Sequence, residues 1–169
     1  MNYPIFPGDC KSLLSKYLTP ELFESLKELK TLNGFTLEQA INSGVVNLDS
    51  GIGVYAGDQD SYRVFAPLFD PIIEEYHGFG KDDKHKSNLN SDDLQAPNPD
   101  PEGSYIVSTR IRVGRNVESM PLGPGILKEQ RDKVEASVVE GLHTLEGELA
   151  GDYYPLLGMS KEVQDNLIK

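Results

Sequence analysis

Two short stretches hold residue types whose spacing could do chemistry. The first is YIVSTRIRV, residues 105–113, where Ser108, Arg110 and Arg112 alternate with Tyr105, Val107, Thr109, Ile111 and Val113. In an extended strand that alternation sends the two sets to opposite faces. Two guanidinium groups two residues apart then form a forked donor array that matches phosphate oxygens. The plainer alternative is an edge strand whose arginines pair with the chain's many acids, and periodicity alone favours it. The second stretch is NLDSGIGVYAGD, residues 47–58. Its glycines let backbone N–H groups approach an anion closely, and the hydroxyls of Ser50 and Tyr55 add donors. Taken alone, GIG follows no strand and lacks a third glycine, so a connection between helices explains it as well.

Other reactive side chains say less. His77, His85 and the neighbouring aspartates lack the spacing of a recognised metal site, so no metal is assigned to protein side chains. Cys10 is the single cysteine and reads as an inert N-terminal thiol that has no partner for an internal disulfide. His143 reads as a solvated side chain on a helix.

The elements that must position these stretches follow from caps and periodicity. Thr19, Pro20 and Glu21 begin a helix whose buried face is Leu22, Leu26 and Leu29, and Asn33-Gly34 stops it. Thr36 and Gln39 form a capping-box pattern for a second helix through Leu37, Ala40 and Ile41, with Gly44 as its end. Tyr62, Phe65, Phe69, Ile72, Ile73 and Tyr76 recur at helical spacing through a segment that Pro67 and Pro71 break or kink, and His77 and Gly78 close it. Residues 1–80 therefore read as a small all-helical domain. Residues 81–103 are polar, carry two large aliphatic side chains, Leu89 and Leu94, and end in a proline, aspartate and glycine cluster, which makes them a linker. Residues 104–169 read as one strand, a long helix from Leu127 to Leu149 with Val134, Val138, Leu142, Leu145 and Leu149 on one stripe, and a last helix capped by Ser160. A lone strand lacks a ladder partner, so this second domain is expected to be incomplete.

The bulk composition narrows the function classes. At 169 residues, 38% hydrophobic and 25% charged, the chain is long enough for one domain or two small ones. A formal net charge of −11 argues against nucleic acid as a partner. No apolar run approaches the roughly 20 residues that span a bilayer, and the start, MNYPIFPGDC, lacks the regions of a signal peptide. A reducing, cytoplasmic compartment is the expectation.

Four segments, NLDSGIGVYAGD, SYRVFAPLFDPIIEEYHGF, STRIRVGR and YYPLLGMS, occur in an order and spacing that closely resemble the phosphagen kinases, the ATP:guanidino phosphotransferases, and the arginine-using members most of all. The resemblance implies an α+β protein: an all-α N-terminal domain at 1–80 that sets guanidino specificity, then the start, from 104, of an α/β catalytic domain with an antiparallel sheet and helices. It implies that Ser50, Gly51, Ile52, Gly53, Val54 and Tyr55 form the loop that closes over the amino-acid end of a guanidino acceptor. It implies that Ser108, Thr109, Arg110, Ile111 and Arg112 contact the phosphates of ATP, which replaces the edge-strand reading. Mg²⁺ would be held through those phosphates. The implied reaction is reversible transfer of the γ-phosphoryl group of MgATP to L-arginine, with taurocyamine or lombricine as alternative acceptors. A non-catalytic interaction module made of the N-terminal half is the other alternative. Family members are about twice as long, and their reactive cysteine and catalytic carboxylates lie beyond the matching part, so no catalytic residue is assigned in this chain. The loop at 50–55 and the linker are expected to be mobile without substrate. Monomer and homodimer stay equally open. Two departures, Gly57 where such enzymes often have proline and Val113 where they often have cysteine, read as drift.

Overall fold

The computed structural model describes residues 2–168. Its regular elements are α1 Leu13–Tyr17, α2 Pro20–Leu26, α3 Leu37–Val46, α4 Ser61–Val64, α5 Ala66–His77, α6 Lys128–His143 and α7 Lys161–Ile168, with short 3-10 turns at Ser91–Asp93 and Gly147–Leu149. Among the described residues the only β-type pairing is an isolated antiparallel bridge between Lys30 and Thr36.

Local chemistry sets the boundaries of the first five helices. Thr19 caps α2 by accepting from the Leu22 amide, and Pro20 fills the first helical position, where its missing N–H costs nothing. At α3 the capping box forms: the Gln39 amide donates to Thr36 Oγ1 at 3.3 Å, and the Thr36 amide donates to Gln39 Oε1 at 2.9 Å. Pro67 lies in the first turn of α5, and the helix continues through Pro71 to end on Gly78 at φ 73°. That left-handed cap is the conformation glycine adopts without a Cβ penalty.

One core joins these helices. Leu14, Phe23, Leu37, Ile41, Phe65 and Leu68 are each fully buried, and Tyr3 from the N-terminal segment sets its ring edge-on against Phe23 at 5.6 Å. Fully burying such side chains stabilises the fold by roughly 1.5–3 kcal/mol each. Lys16 and Tyr17 of α1 both bond the Glu75 carboxylate of α5, fastening those two helices at their solvent edge.

Four sequence expectations need correction here. The buried face of α2 is Phe23 and Leu26; the helix stops before Leu29, which is 42% exposed. Gly44 lies inside α3, which runs on to Val46. The strand at 105–113 does not form: residues 106–117 have no regular secondary structure, because no second strand supplies a ladder. The α+β reading is therefore met only in its helical part among the described residues. The long helix ends at His143, not Leu149; Thr144 caps it by donating from Oγ1 to the Gly141 carbonyl, and Gly147 then takes φ 62°. Its stripe packs on little, with Val138, Leu142 and Leu149 all exposed. Residues 81–99 are exposed throughout and irregular apart from the single 3-10 turn.

Candidate functional site

The loop at 50–55 is built by the helices on either side of it. Helix α1 has orphan amides in its first turn, as every helix does. The Leu13 amide donates to the Gly51 carbonyl and the Leu14 amide to the Ile52 carbonyl, both at 2.9 Å, while the Ser15 amide donates to Ser12 Oγ. On the other side the Gly44 amide of α3 donates to the Gly53 carbonyl at 3.1 Å, and the Tyr55 amide donates to the Ala40 carbonyl at 2.9 Å. Ser50 is tied back to Asn47. The loop is thus anchored along its backbone by the helices on both sides.

Glycine is required where loop and helix meet. Gly53 has φ 87°, and a Cβ there would lie 2.9 Å from Leu14 Cβ. A Cβ on Gly44 would lie 2.5 Å from the Cα and carbonyl oxygen of Gly53. This is why Gly44 sits inside a helix: it opens a seat for the loop backbone.

The bonding is asymmetric. The carbonyls of Gly51, Ile52 and Gly53 face the domain and are used, whereas the amides of Gly51 and Ile52 meet no acceptor among the described residues. Gly51 is exposed, Ile52 is half-buried, and Tyr55 is 52% exposed. An anion that approached the loop would find two backbone donors with no competing internal partner, on a scaffold already fixed. Val54 is buried and serves the core.

Just beyond the loop lies a buried carboxylate. Asp58 is 2% exposed; its Oδ1 accepts from the Ser61 amide and hydroxyl, and its Oδ2 accepts from the Thr31 hydroxyl at 2.6 Å and Asn33 Nδ2 at 3.1 Å. Burial pushes this carboxyl up, but the hydrogen bonds from Thr31, Ser61 and Asn33 together outweigh it and hold Asp58 below the ordinary carboxylate range. Asp58 pins the start of α4 and the turn before α3 to the end of the loop. Sequence reasoning missed it, since a lone aspartate after glycine carries no pattern.

The second predicted set is placed differently. Ser108, Thr109, Arg110, Ile111 and Arg112 lie in the exposed, irregular segment, with Ile111 86% exposed. Neither Arg110 nor Arg112 forms an ion pair among the described residues, so the edge strand with acid-paired arginines is not what is found. No described hydrogen bond joins this segment to residues 50–55. Upstream of it, Asp100 fixes the chain's course by accepting from the amides of Ile106, Tyr105 and Ser104, bonds that lower its carboxyl from the usual range.

Residues 8–74 match the family described as ATP:guanido phosphotransferase, N-terminal domain. They belong to that family. Similarity to individual proteins extends beyond this segment. The chain is 55% identical over 161 residues to the arginine kinase Lit v 2 of Penaeus vannamei, which covers 95% of this chain and 45% of that protein. To an arginine kinase of Anthopleura japonica it is 54% identical over 161 residues, 95% of this chain and 22% of that one. Among solved structures, a lombricine kinase superposes with a TM-score of 0.78 at 30% identity, over 99% of this chain and 46% of the other. The substrate-free duplicated taurocyamine kinase from Schistosoma mansoni gives a TM-score of 0.80 at 36% identity, over 96% of this chain and 23% of the other. The chain thus spans less than half the length of these relatives. Among the described residues no helix is long and apolar enough to cross a membrane.

Proposed function

We propose that this chain supplies the acceptor-binding domain and the nucleotide-phosphate motif of an arginine kinase, with residues 1–80 as the guanidino-specificity domain, 81–103 as a linker and 104–169 as the beginning of the ATP-binding α/β domain. The carrying observation is the loop at 50–55, whose Gly51, Ile52 and Gly53 carbonyls are bonded inward while the Gly51 and Ile52 amides and the Tyr55 ring stay open to a ligand.

In this reading the loop amides and the Ser50 and Tyr55 hydroxyls take the carboxylate of L-arginine. Arg110 and Arg112, with neighbouring Ser108, Thr109 and Ile111, take the phosphates of MgATP, and their exposed guanidinium groups suit an anion of that size and charge. Mg²⁺ would neutralise phosphate oxygens, held through the nucleotide and not by side chains of this chain. A guanidino nitrogen attacks the γ-phosphorus in line as the bond to the ADP oxygen breaks, and the proton the nitrogen loses passes to a general base. The arginines neutralise charge and align reactants, which is the main task of a protein in phosphoryl transfer. No residue described here is assigned the proton transfer. A cytoplasmic setting, where ATP and free amino acids coexist, fits this chemistry.

The solved relatives favour a second reading with a different acceptor, since their names specify lombricine and taurocyamine. Arginine ranks first because arginine kinases match at 55% identity, against 30% and 36% for those structures. The deciding assay measures phosphoryl transfer from MgATP to L-arginine, taurocyamine, lombricine and creatine, with the chain alone and joined to the remainder of such a catalytic domain. Transfer to arginine above the other three in the joined protein is the expected result. Preference for another acceptor would reassign the substrate. Silence with all four in the joined protein would favour a non-catalytic module.

A further inference from the structure

The loop is also braced from behind by a segment that lies far from it in sequence. The chain reverses at Ser119, which holds φ 67°, and residues 121–126 then lie against the helical domain. Pro121 is buried and Leu122 packs on the core. The Leu122 amide donates to the Gly57 carbonyl at 2.9 Å, and the Leu122 carbonyl accepts from the Gly125 and Ile126 amides, closing one tight turn. Gly125 meets Gly57 backbone to backbone: a Cβ at 125 would lie 2.3 Å from the Gly57 carbonyl oxygen. Gly57 in turn rests on Phe35, where a Cβ would lie 2.2 Å from the ring. Its glycine is thus a close-packing requirement in this chain and not the drift read from sequence.

We propose that residues 121–125 form a strap that positions the Tyr55 end of the acceptor loop through Gly57, two residues further on. The strap also places Pro124 on the wall of the open cleft that Tyr55 shares with Glu38, Gln39, Asn42 and Ser43. Because the strap follows the arginine motif by only about ten residues, it ties the nucleotide segment to the acceptor domain. Leu122, Gly125 and Gly57 are positioning residues in this scheme. The proposal rests on the reading of residues 50–55 as the acceptor loop.

The test compares Gly125→Ala with Gly123→Ala, the same change two residues apart in the same strap. A Cβ at Gly123 meets nothing within 4 Å, so that variant is the control. Leu122→Ala, which loosens the apolar anchor without a clash, serves as the second variant should Gly125→Ala not fold. Hydrogen exchange is measured on the 169-residue chain, and kinetics on the chain joined to the rest of the catalytic domain. Gly125→Ala or Leu122→Ala should speed exchange of the Leu122 and Tyr55 amides at least tenfold while α5 stays protected. The arginine KM should rise about five- to tenfold with the ATP KM and kcat within twofold, and Gly123→Ala should match the parent. Parental exchange and parental arginine KM in both test variants would overturn the strap while leaving the function standing. If the parent transfers phosphate to no guanidino compound, the functional reading fails by itself, and the Tyr55 exchange rate still decides whether the strap orders the loop.

Discussion

Tyr55 is held by its amide and open at its ring, a division of labour that lets one residue serve both scaffold and ligand. Removing only the hydroxyl should leave the scaffold intact. Tyr55→Phe is expected to melt within about 0.5 kcal/mol of the parent and to raise the arginine KM up to tenfold, the range of one hydrogen bond, with the ATP KM unchanged. Equal losses for both ligands in steady-state kinetics would refute the assignment. Asp58 is the opposite kind of residue, buried and fully bonded. Its folded pKa is depressed, so the stability it contributes is complete above the unfolded value near 3.9 and is lost as pH falls through the lower folded value. Asp58→Ala should cost about 2–4 kcal/mol at neutral pH, because Thr31, Asn33 and Ser61 lose their acceptor. In denaturant melts from pH 7 to 2 the gap between variant and parent should shrink below about pH 4. A gap constant across that range would show that the charge contributes nothing.

Helices were legible in the sequence where local chemistry decides them. Thr36-x-x-Gln39 announced α3, and His77-Gly78 announced the end of α5, because a cap needs only its own few residues. Gly44 was misread for a physical reason: glycine often marks a helix end, and here the cause is a loop backbone arriving from outside the helix, which no local pattern encodes. The strand at 105–113 shows the same limit in reverse. Its alternation is strand-like, but a strand exists only with a partner, and the sequence could not supply the ladder. The α3 seat makes a quantitative prediction. Alanine normally stabilises a helix interior over glycine by about 1 kcal/mol, yet Gly44→Ala should destabilise by about 2–4 kcal/mol as its methyl group pushes against the Gly53 backbone. A thermal melt showing stabilisation would mean that the loop does not sit on α3.

At the scale of the molecule, apolar burial is concentrated in residues 14–72, whereas most large apolar side chains from Tyr105 onward are exposed. Composition could not reveal that split, since the two parts share similar hydrophobic patterns; contacts over long sequence distances create it. The two predicted sites divide along the same line, the acceptor loop on the packed helices and the arginine motif on the open segment. Stability and nucleotide use should therefore separate by mutation. Arg110→Ala with Arg112→Ala removes two exposed cations that pair with no acid among the described residues, so the melt of the helical domain should move by less than about 0.5 kcal/mol. If both arginines hold nucleotide phosphates, the same double variant in the joined catalytic protein should lower kcat/KM for ATP by at least a hundredfold, since each charge-assisted contact contributes roughly 1.5–3 kcal/mol. A shifted melt with unchanged ATP kinetics would reverse the roles, making the arginines structural and leaving phosphate binding to other residues.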